Sequence, residues 1–108
     1  MIARVDDTDA LEGFRDEYLG PIEEYDARHA AELIETLEGF FTCNGNHAKA
    51  AEMLHLHRNT LLYRLERIEA LTGRDLADAE TRLSLQLALK IRRVFPTIRA
   101  SQPRGQRG

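Results

Sequence analysis

The segment HLHRNTLLYRLERI, residues 55–68, combines side chains that can bind a polyanion with side chains that can read bases. On a helical wheel centred on Leu61, an apolar stripe occupies one side, and Asn59, Tyr63 and Arg67 lie opposite it with spacings i, i+4 and i+8. An asparagine amide can pair bidentately with adenine and an arginine with guanine, while cationic and hydroxyl groups bind phosphates. The pattern predicts contact with double-stranded DNA.

The candidate DNA contacts extend beyond this polar face. Arg58 and Arg64 flank the apolar stripe, and Thr60 lies beside Asn59. A lysine of the preceding helix can hold a phosphate, as can N–H groups in a first helical turn. The residue before Arg58 is expected to be the N-cap of the recognition helix, with a phosphate contact in addition. The expected DNA-binding residues are Lys49, His57, Arg58, Asn59, Thr60, Tyr63, Arg64 and Arg67.

Each of these residues also has a reading that involves no DNA. Tyr63 could pack its ring against a neighbouring helix and leave only its hydroxyl at the surface. Arg64 and Arg67 could form a solvated face paired with Glu66 or with acidic helices earlier in the chain. Side chains near the helix start, such as those of Asn59 and Thr60, could simply cap its first turn.

The net charge of −3 conceals a division along the chain. Residues 1–38 contain 12 Asp and Glu against 3 Arg, a net charge of −9, whereas residues 39–108 carry a net charge of +6. Such an asymmetry indicates a polyanionic partner for the C-terminal part. The alternative is an acidic helix pair and a basic one that are each merely solvated.

The elements that must position these side chains are all helical, because sustained apolar alternation of the strand type is missing. A first helix is predicted over Thr8–Leu19, ended by Gly20 and Pro21. A second is predicted to begin near Asp26 as its N-cap and to stop at residues 44–46. Its apolar positions are Ala30, Leu33, Ile34, Leu37, Phe40 and Phe41.

The middle of the chain predicts a helix-turn-helix. A short helix over His47–Leu54, capped by Asn46, leads through the turn at residues 55–57 into a helix over Arg58–Thr72 that ends at Gly73. In this motif the second helix enters the major groove. Two sequence features affect the geometry of the turn and of the helix crossing. The first turn residue is His55, where a left-handed backbone usually favours glycine. The crossing point is the small Ala51, beside a wedge of Leu54, Leu56 and Leu61.

A fifth helix is predicted over about Ala79–Phe95, closed by Pro96. Its leucines cover too broad an arc for one core-facing stripe, so part of the helix is expected to contact a second copy of the chain. The predicted fold is therefore an all-α, five-helix domain over residues 1–96. Residues 97–108 are expected to form a disordered basic tail.

Composition narrows the function classes. A single cysteine, Cys43, fits a reducing cytoplasm. The acidic N-terminus has no apolar signal region, and no apolar run approaches the roughly 20 residues that cross a bilayer. Cys43 and the histidines match no zinc-ligand spacing, so neither a metal nor a cofactor is expected. Without a phosphate-cradling glycine loop or a nucleophile paired with a base, an enzyme is not expected either.

The segment GNHAKAAEMLHLHRNTLLYRL, residues 45–65, resembles the helix-turn-helix of the factor for inversion stimulation (Fis). A longer stretch, residues 19–94, resembles the C-terminal domain of the purine-catabolism and sugar-diacid regulators, the PucR/CdaR family. The elements HRNTLLYRLERIEALTG and LSLQLALKIRR carry the resemblance most clearly.

This resemblance implies a sequence-specific DNA-binding domain of a bacterial transcriptional regulator, acting as a homodimer on two half-sites. Family members usually carry a sensory domain before this one, so the resemblance implies a fragment or a short member. A small-molecule effector is then expected only through such a sensory domain. The alternative function is a helical protein-interaction or dimerisation module with a basic docking face. Such a helix would show apolar anchors on its exposed side, where this one shows Asn59, Tyr63 and Arg67.

Overall fold

The computed structural model of the chain describes residues 2–95, with side chains from residue 9 onward. This part contains five α-helices and no strand, which confirms the predicted all-α class. The helices are α1 (Ile2–His29), α2 (Leu33–Thr42), α3 (His47–Leu54), α4 (Arg58–Thr72) and α5 (Ala79–Val94). Pro96 and the predicted tail lie outside the described residues.

Helix α1 is much longer than the sequence predicts. It continues through Gly20 and Pro21 to His29, so the predicted end at Leu19 is wrong. Proline removes one backbone hydrogen bond and crowds the preceding turn, at a cost of about 3 kcal/mol in a helix interior. Leu19 and Ile22, on either side of this site, are fully buried. Their burial against the other helices offsets the local cost and keeps the helix continuous.

The start of α2 also differs from the prediction. Helix α2 begins at Leu33, and the predicted cap Asp26 belongs to α1. Its carboxylate nevertheless caps α2 across the intervening turn, accepting hydrogen bonds from the backbone N–H groups of Leu33 at 2.8 Å and Ile34 at 3.0 Å. Ala30 lies in this turn with φ 50°, exposed to solvent, and not on the apolar face of α2 as predicted. The cap is therefore a contact between two helices.

This contact predicts a specific loss of stability. Asp26→Ala should lower the free energy of unfolding by about 1–2 kcal/mol, because two N–H groups of α2 lose their acceptor. Asp26→Asn should cost less, since the amide retains one acceptor oxygen. Chemical denaturation of both variants beside Glu24→Ala, an exposed position on the same helix, measures the effect. Equal stability of all three variants would contradict the capping role.

The helix-turn-helix follows the predicted bounds residue for residue, because its signals are local. Asn46 caps α3 by accepting from the Lys49 N–H at 2.9 Å. His55 adopts the left-handed conformation, with φ 58°, directly after α3. Gly73 ends α4 with φ 68°. Helix α5 begins after Asp78, which accepts from the Thr81 N–H at 2.9 Å, and it ends one residue before the predicted Phe95.

One core joins all five helices. Its fully buried side chains come from α1 (Leu19 and Ile22), α2 (Leu33, Thr36 and Leu37), α4 (Leu61 and Ile68) and α5 (Leu85). Helix α3 contributes the small Ala50 and Ala51, which let α4 approach closely, as the sequence predicts for Ala51. Leu54 and Leu56 pack against the same core. This packing fixes the orientation of α4 relative to α3.

A partly buried ion-pair cluster ties α1 to the end of α5. The Glu23 carboxylate accepts from Arg15 at 3.1 Å and from Arg92 at 2.9 Å. Arg15, almost fully buried, also donates to the Phe95 carbonyl at 3.2 Å.

Within residues 2–95, every helix falls short of what a bilayer crossing requires in length or apolar character.

Candidate nucleic-acid interface

The start of α4 is the most open part of the predicted DNA-binding surface. His57 is the N-cap, and its Nδ1 accepts from the Asn59 backbone N–H at 3.1 Å. Nδ1 must then be unprotonated, so Nε2 carries the ring proton of the neutral histidine and can donate outward. The cap is supplied by His57, and the side chains of Asn59 and Thr60 are exposed and not used as caps. Their amide and hydroxyl groups face solvent.

Two cations of the helix-turn-helix are exposed. Arg58 is the first residue of α4 and Lys49 lies in the first turn of α3, and both are exposed. Among residues 9–95, no carboxylate forms an ion pair with either. These side chains can therefore accept phosphate contacts without first breaking an internal salt bridge. Four of the eight predicted residues, His57, Arg58, Asn59 and Thr60, thus lie together at one helix start, and Lys49 lies exposed in the first turn of α3.

Tyr63 and Arg67, one and two turns further along α4, form a pair. Tyr63 is 54% exposed, and its hydroxyl accepts a hydrogen bond from Arg67 Nη2 at 2.8 Å. This hydrogen bond and the positive charge of Arg67 lower the pKa of Tyr63. The same hydrogen bond and the charge of the Tyr63 phenolate raise the pKa of Arg67. Tyr63 therefore does not pack its ring away in the interior, and it lies on the same open side of the helix.

Arg67 has a second partner that the sequence did not indicate. Its guanidinium lies 5.4 Å from the centroid of the Tyr63 ring and 5.6 Å from that of Tyr25, which belongs to α1. The Nε atom is buried and has no hydrogen-bond partner. Because the first helix was predicted to end at Leu19, sequence reasoning placed Tyr25 outside any helix and missed this contact.

Arg64 points towards the protein on the opposite flank of α4. Its Nη1 donates to the Thr36 hydroxyl at 3.1 Å and lies 3.7 Å from Glu32 Oε1, and the side chain is 22% exposed. The predicted alternative of pairing with an acidic helix thus describes its contacts in the free domain. The guanidinium has five donor hydrogens, and these contacts engage only Nη1, so its other edge remains available.

The polar face carries little apolar surface. Of the large hydrophobic side chains that are exposed in residues 9–95, Tyr63 alone belongs to α4. Glu66 is the exposed acidic residue between Tyr63 and Arg67, and it lines the same shallow depression with Ala70. The surface therefore offers donors, an amide and hydroxyls, which is the chemistry of groove and phosphate contacts.

Comparison with known proteins decides the family. The model of the PucR C-terminal helix-turn-helix domain matches residues 33–91, more than half of the chain. The chain belongs to this family. The PucR-type match runs from the first residue of α2 to near the end of α5, and so includes the whole helix-turn-helix. This confirms the resemblance seen in the sequence and identifies a DNA-binding domain of the transcriptional-regulator type.

Several curated relatives are regulators. The PucR-type domain is 36% identical over 74 residues to the DNA-binding transcriptional activator AdeR of Bacillus subtilis, covering 68% of this chain and 18% of that protein. It is 40% identical over 63 residues to the purine catabolism regulatory protein of the same organism, covering 58% and 12%. With the carbohydrate diacid regulator of Escherichia coli it shares 44% identity over 59 residues, covering 55% and 15%.

The chain spans less than a fifth of the length of these relatives. No solved structure matches it at a significant level.

Proposed function

We propose that this PucR-type domain binds duplex DNA sequence-specifically, with α4 in the major groove. The observation that carries the proposal is the open first turn of α4. Because His57 caps the helix, Arg58, Asn59 and Thr60 present unengaged polar side chains at the end of the helix that enters the groove in this motif. We assign a base contact to Asn59, since an amide suits adenine, and a phosphate contact to Arg58.

The remaining predicted residues are proposed to hold the DNA backbone or the groove edge. The outward Nε2 of His57 lies beside the open turn, and the exposed Lys49 lies in the first turn of α3. Both groups suit phosphates. Tyr63 and Arg67 continue the same side of α4, and Arg64 offers its second guanidinium edge from the flank.

Selection of binding sites from random duplex DNA, with the 108-residue chain, tests the proposal. We expect an enriched sequence that is bound more tightly than random duplex by at least about a thousandfold. Enrichment of no sequence, with weak and uniform binding, would overturn sequence-specific recognition. The competing function, a protein-docking module, predicts no DNA binding. It also requires apolar anchors on the exposed side of α4. Among the described residues, Tyr63 is the one large hydrophobic side chain exposed there.

We further propose that the domain acts as a homodimer. Leu83, Leu87 and Val94 of α5 are exposed at 66%, 48% and 67%, and their spacing of i, i+4 and i+11 places them on one face with Lys90. A two-fold contact through this face, with acidic helix surface beside it, would place two recognition helices about 34 Å apart, one turn of duplex.

Leu87→Glu should therefore convert the dimer into a monomer and weaken binding to a two-half-site operator more than to a single half-site. Analytical ultracentrifugation measures the first effect and duplex titration the second. Met53→Glu is the matched control, because it introduces the same charge at another exposed apolar residue, on α3. A wild-type domain that stays monomeric at high concentration, both free and on a palindromic site, would exclude this interface.

The remaining parts of the proposal follow the family resemblance. We propose a cytoplasmic location, no catalytic activity and no cofactor for the domain. Any small-molecule effector would act through a sensory domain in a longer regulator.

A further inference from the structure

Two arginine–tyrosine contacts join α1 to the α4 side of the molecule. The guanidinium of Arg67 lies 5.6 Å from the Tyr25 ring centroid, and that of Arg74 lies 4.1 Å from the Tyr18 ring centroid. On each side the two residues are seven positions apart, which is about two helical turns. Each tyrosine also lies against an aromatic ring four residues away in α1, Phe14 for Tyr18 and His29 for Tyr25. The two contacts are therefore closely matched in kind.

They differ in what the arginine contacts next. Arg74 donates to Glu17 at 3.4 Å, which returns to α1. Arg67 instead donates to the Tyr63 hydroxyl at 2.8 Å and lies over the Tyr63 ring, on the surface proposed to meet DNA. Of these two contacts, the one between Tyr25 and Arg67 therefore connects α1 with the polar face of α4.

The geometry restrains a side chain that would otherwise be free. Tyr63 is 54% exposed, so interior packing does not fix its position. Arg67 can fix it because Arg67 itself lies over the Tyr25 ring of α1, with its Nε buried. A contact group held in place before binding loses less conformational freedom when the partner docks.

The direction of the hydrogen bond also matters. Because Arg67 donates and the Tyr63 oxygen accepts, the phenolic proton of Tyr63 remains available for a phosphate or a base acceptor. The same hydrogen bond and the Arg67 charge lower the pKa of Tyr63, which makes its O–H a stronger donor. Glu66 is the exposed carboxylate in the same depression, and Tyr25 approaches from α1.

We propose that Tyr25 is a positioning residue for DNA recognition: its ring holds the Arg67 guanidinium, and Arg67 in turn fixes the Tyr63 hydroxyl on the DNA-facing side of α4. This inference rests on the proposed function. It makes α1, which lies outside the helix-turn-helix, part of the apparatus that shapes the contact surface.

The test compares Tyr25→Leu with Tyr25→Phe and with Tyr18→Leu in the 108-residue chain. Tyr25→Leu should weaken binding to the selected site by about 3- to 10-fold, the range of one cation–π contact, with little change on random duplex. Tyr25→Phe should restore binding because it keeps the ring. Tyr18→Leu removes the matched contact. It should lower the melting temperature about as much as Tyr25→Leu does, and it should leave the ratio of cognate to random-duplex affinity unchanged.

A second readout needs no DNA. With tyrosines labelled with 13C, the pH titration of Tyr63 followed by NMR should move towards the ordinary tyrosine pKa in Tyr25→Leu and stay lowered in Tyr18→Leu. If Tyr25→Leu and Tyr18→Leu had the same ratio of cognate to random-duplex affinity, the positioning role would be overturned and the proposed function would stand. A wild-type chain that binds no duplex would overturn the proposed function, and the inference with it.

Discussion

Replacing Leu65 by alanine is expected to lower the free energy of unfolding by about 2–5 kcal/mol, because the substitution removes buried methyl groups and leaves a cavity. Leu65 is 5% exposed and belongs to the core that joins α4 to the other helices. Its DNA binding should weaken only through the unfolded fraction. Thermal melts and titrations below the melting temperature measure the two effects separately.

Asn59→Ala on the same helix provides the control with the opposite expectation. Its side chain is exposed and the cap belongs to His57, so stability should change by less than about 1 kcal/mol. Affinity for the selected site should nevertheless fall by about 1–3 kcal/mol, with little change on random duplex, because base contacts carry the specificity. An Asn59→Ala domain that melts early yet binds normally when folded would show that the assigned face of α4 is wrong.

Affinity for duplex DNA is expected to depend steeply on salt. Neutralisation of about 4 to 6 phosphates per domain gives a slope of log affinity against log salt of roughly −4 to −5. Between about 50 and 200 mM salt, affinity should therefore fall about 250- to 1,000-fold. Filter binding or fluorescence anisotropy across this range measures the slope, and an affinity independent of salt would remove the DNA hypothesis.

Two arginine variants test which side chains contribute to this salt dependence. Arg58→Ala should reduce it by about one unit on every sequence without loss of stability, because Arg58 is exposed and forms no ion pair among residues 9–95. Arg64→Ala should reduce the slope and the stability together, since Arg64 also bonds to the buried Thr36. If neither substitution changed the slope, the phosphate contacts would lie elsewhere on the domain.

Sequence reasoning succeeded where the signals lie within a few residues of each other. Asn46 caps α3 through Lys49, and Gly73 ends α4, so both helices have the predicted bounds. His55 takes the left-handed backbone predicted for its place in the turn, although the position usually favours glycine. Each of these outcomes depends on hydrogen bonds and backbone sterics that a short stretch of sequence specifies.

It failed where distant residues decide the local structure. Gly20 and Pro21 are local stop signals, but the burial of Leu19 and Ile22 against other helices keeps α1 continuous. Asp26 has the chemistry of a cap, as predicted, but it acts on a helix that begins seven residues later. Neither outcome follows from helix propensity, because both depend on how α1 packs.

The candidate interface divides in the same way. The exposed first turn of α4 follows from the helical period, whereas the partners of its arginines depend on tertiary structure. Arg64 meets Thr36, 28 residues earlier, and Arg67 meets Tyr25, in a helix that the sequence predicted to end before it. The residue types thus indicated the chemistry of the surface but not which cations are free.

The position of α1 changes what counts as the smallest part of this chain that can fold. The family match begins at Leu33, yet Leu19 and Ile22 fill the centre of the core and Asp26 completes α2. A fragment cut at the family boundary would expose the apolar faces of α4 and α5 that α1 covers, and would leave the first N–H groups of α2 without their acceptor. A workable expression boundary therefore lies before α1, ahead of the region by which the family is recognised.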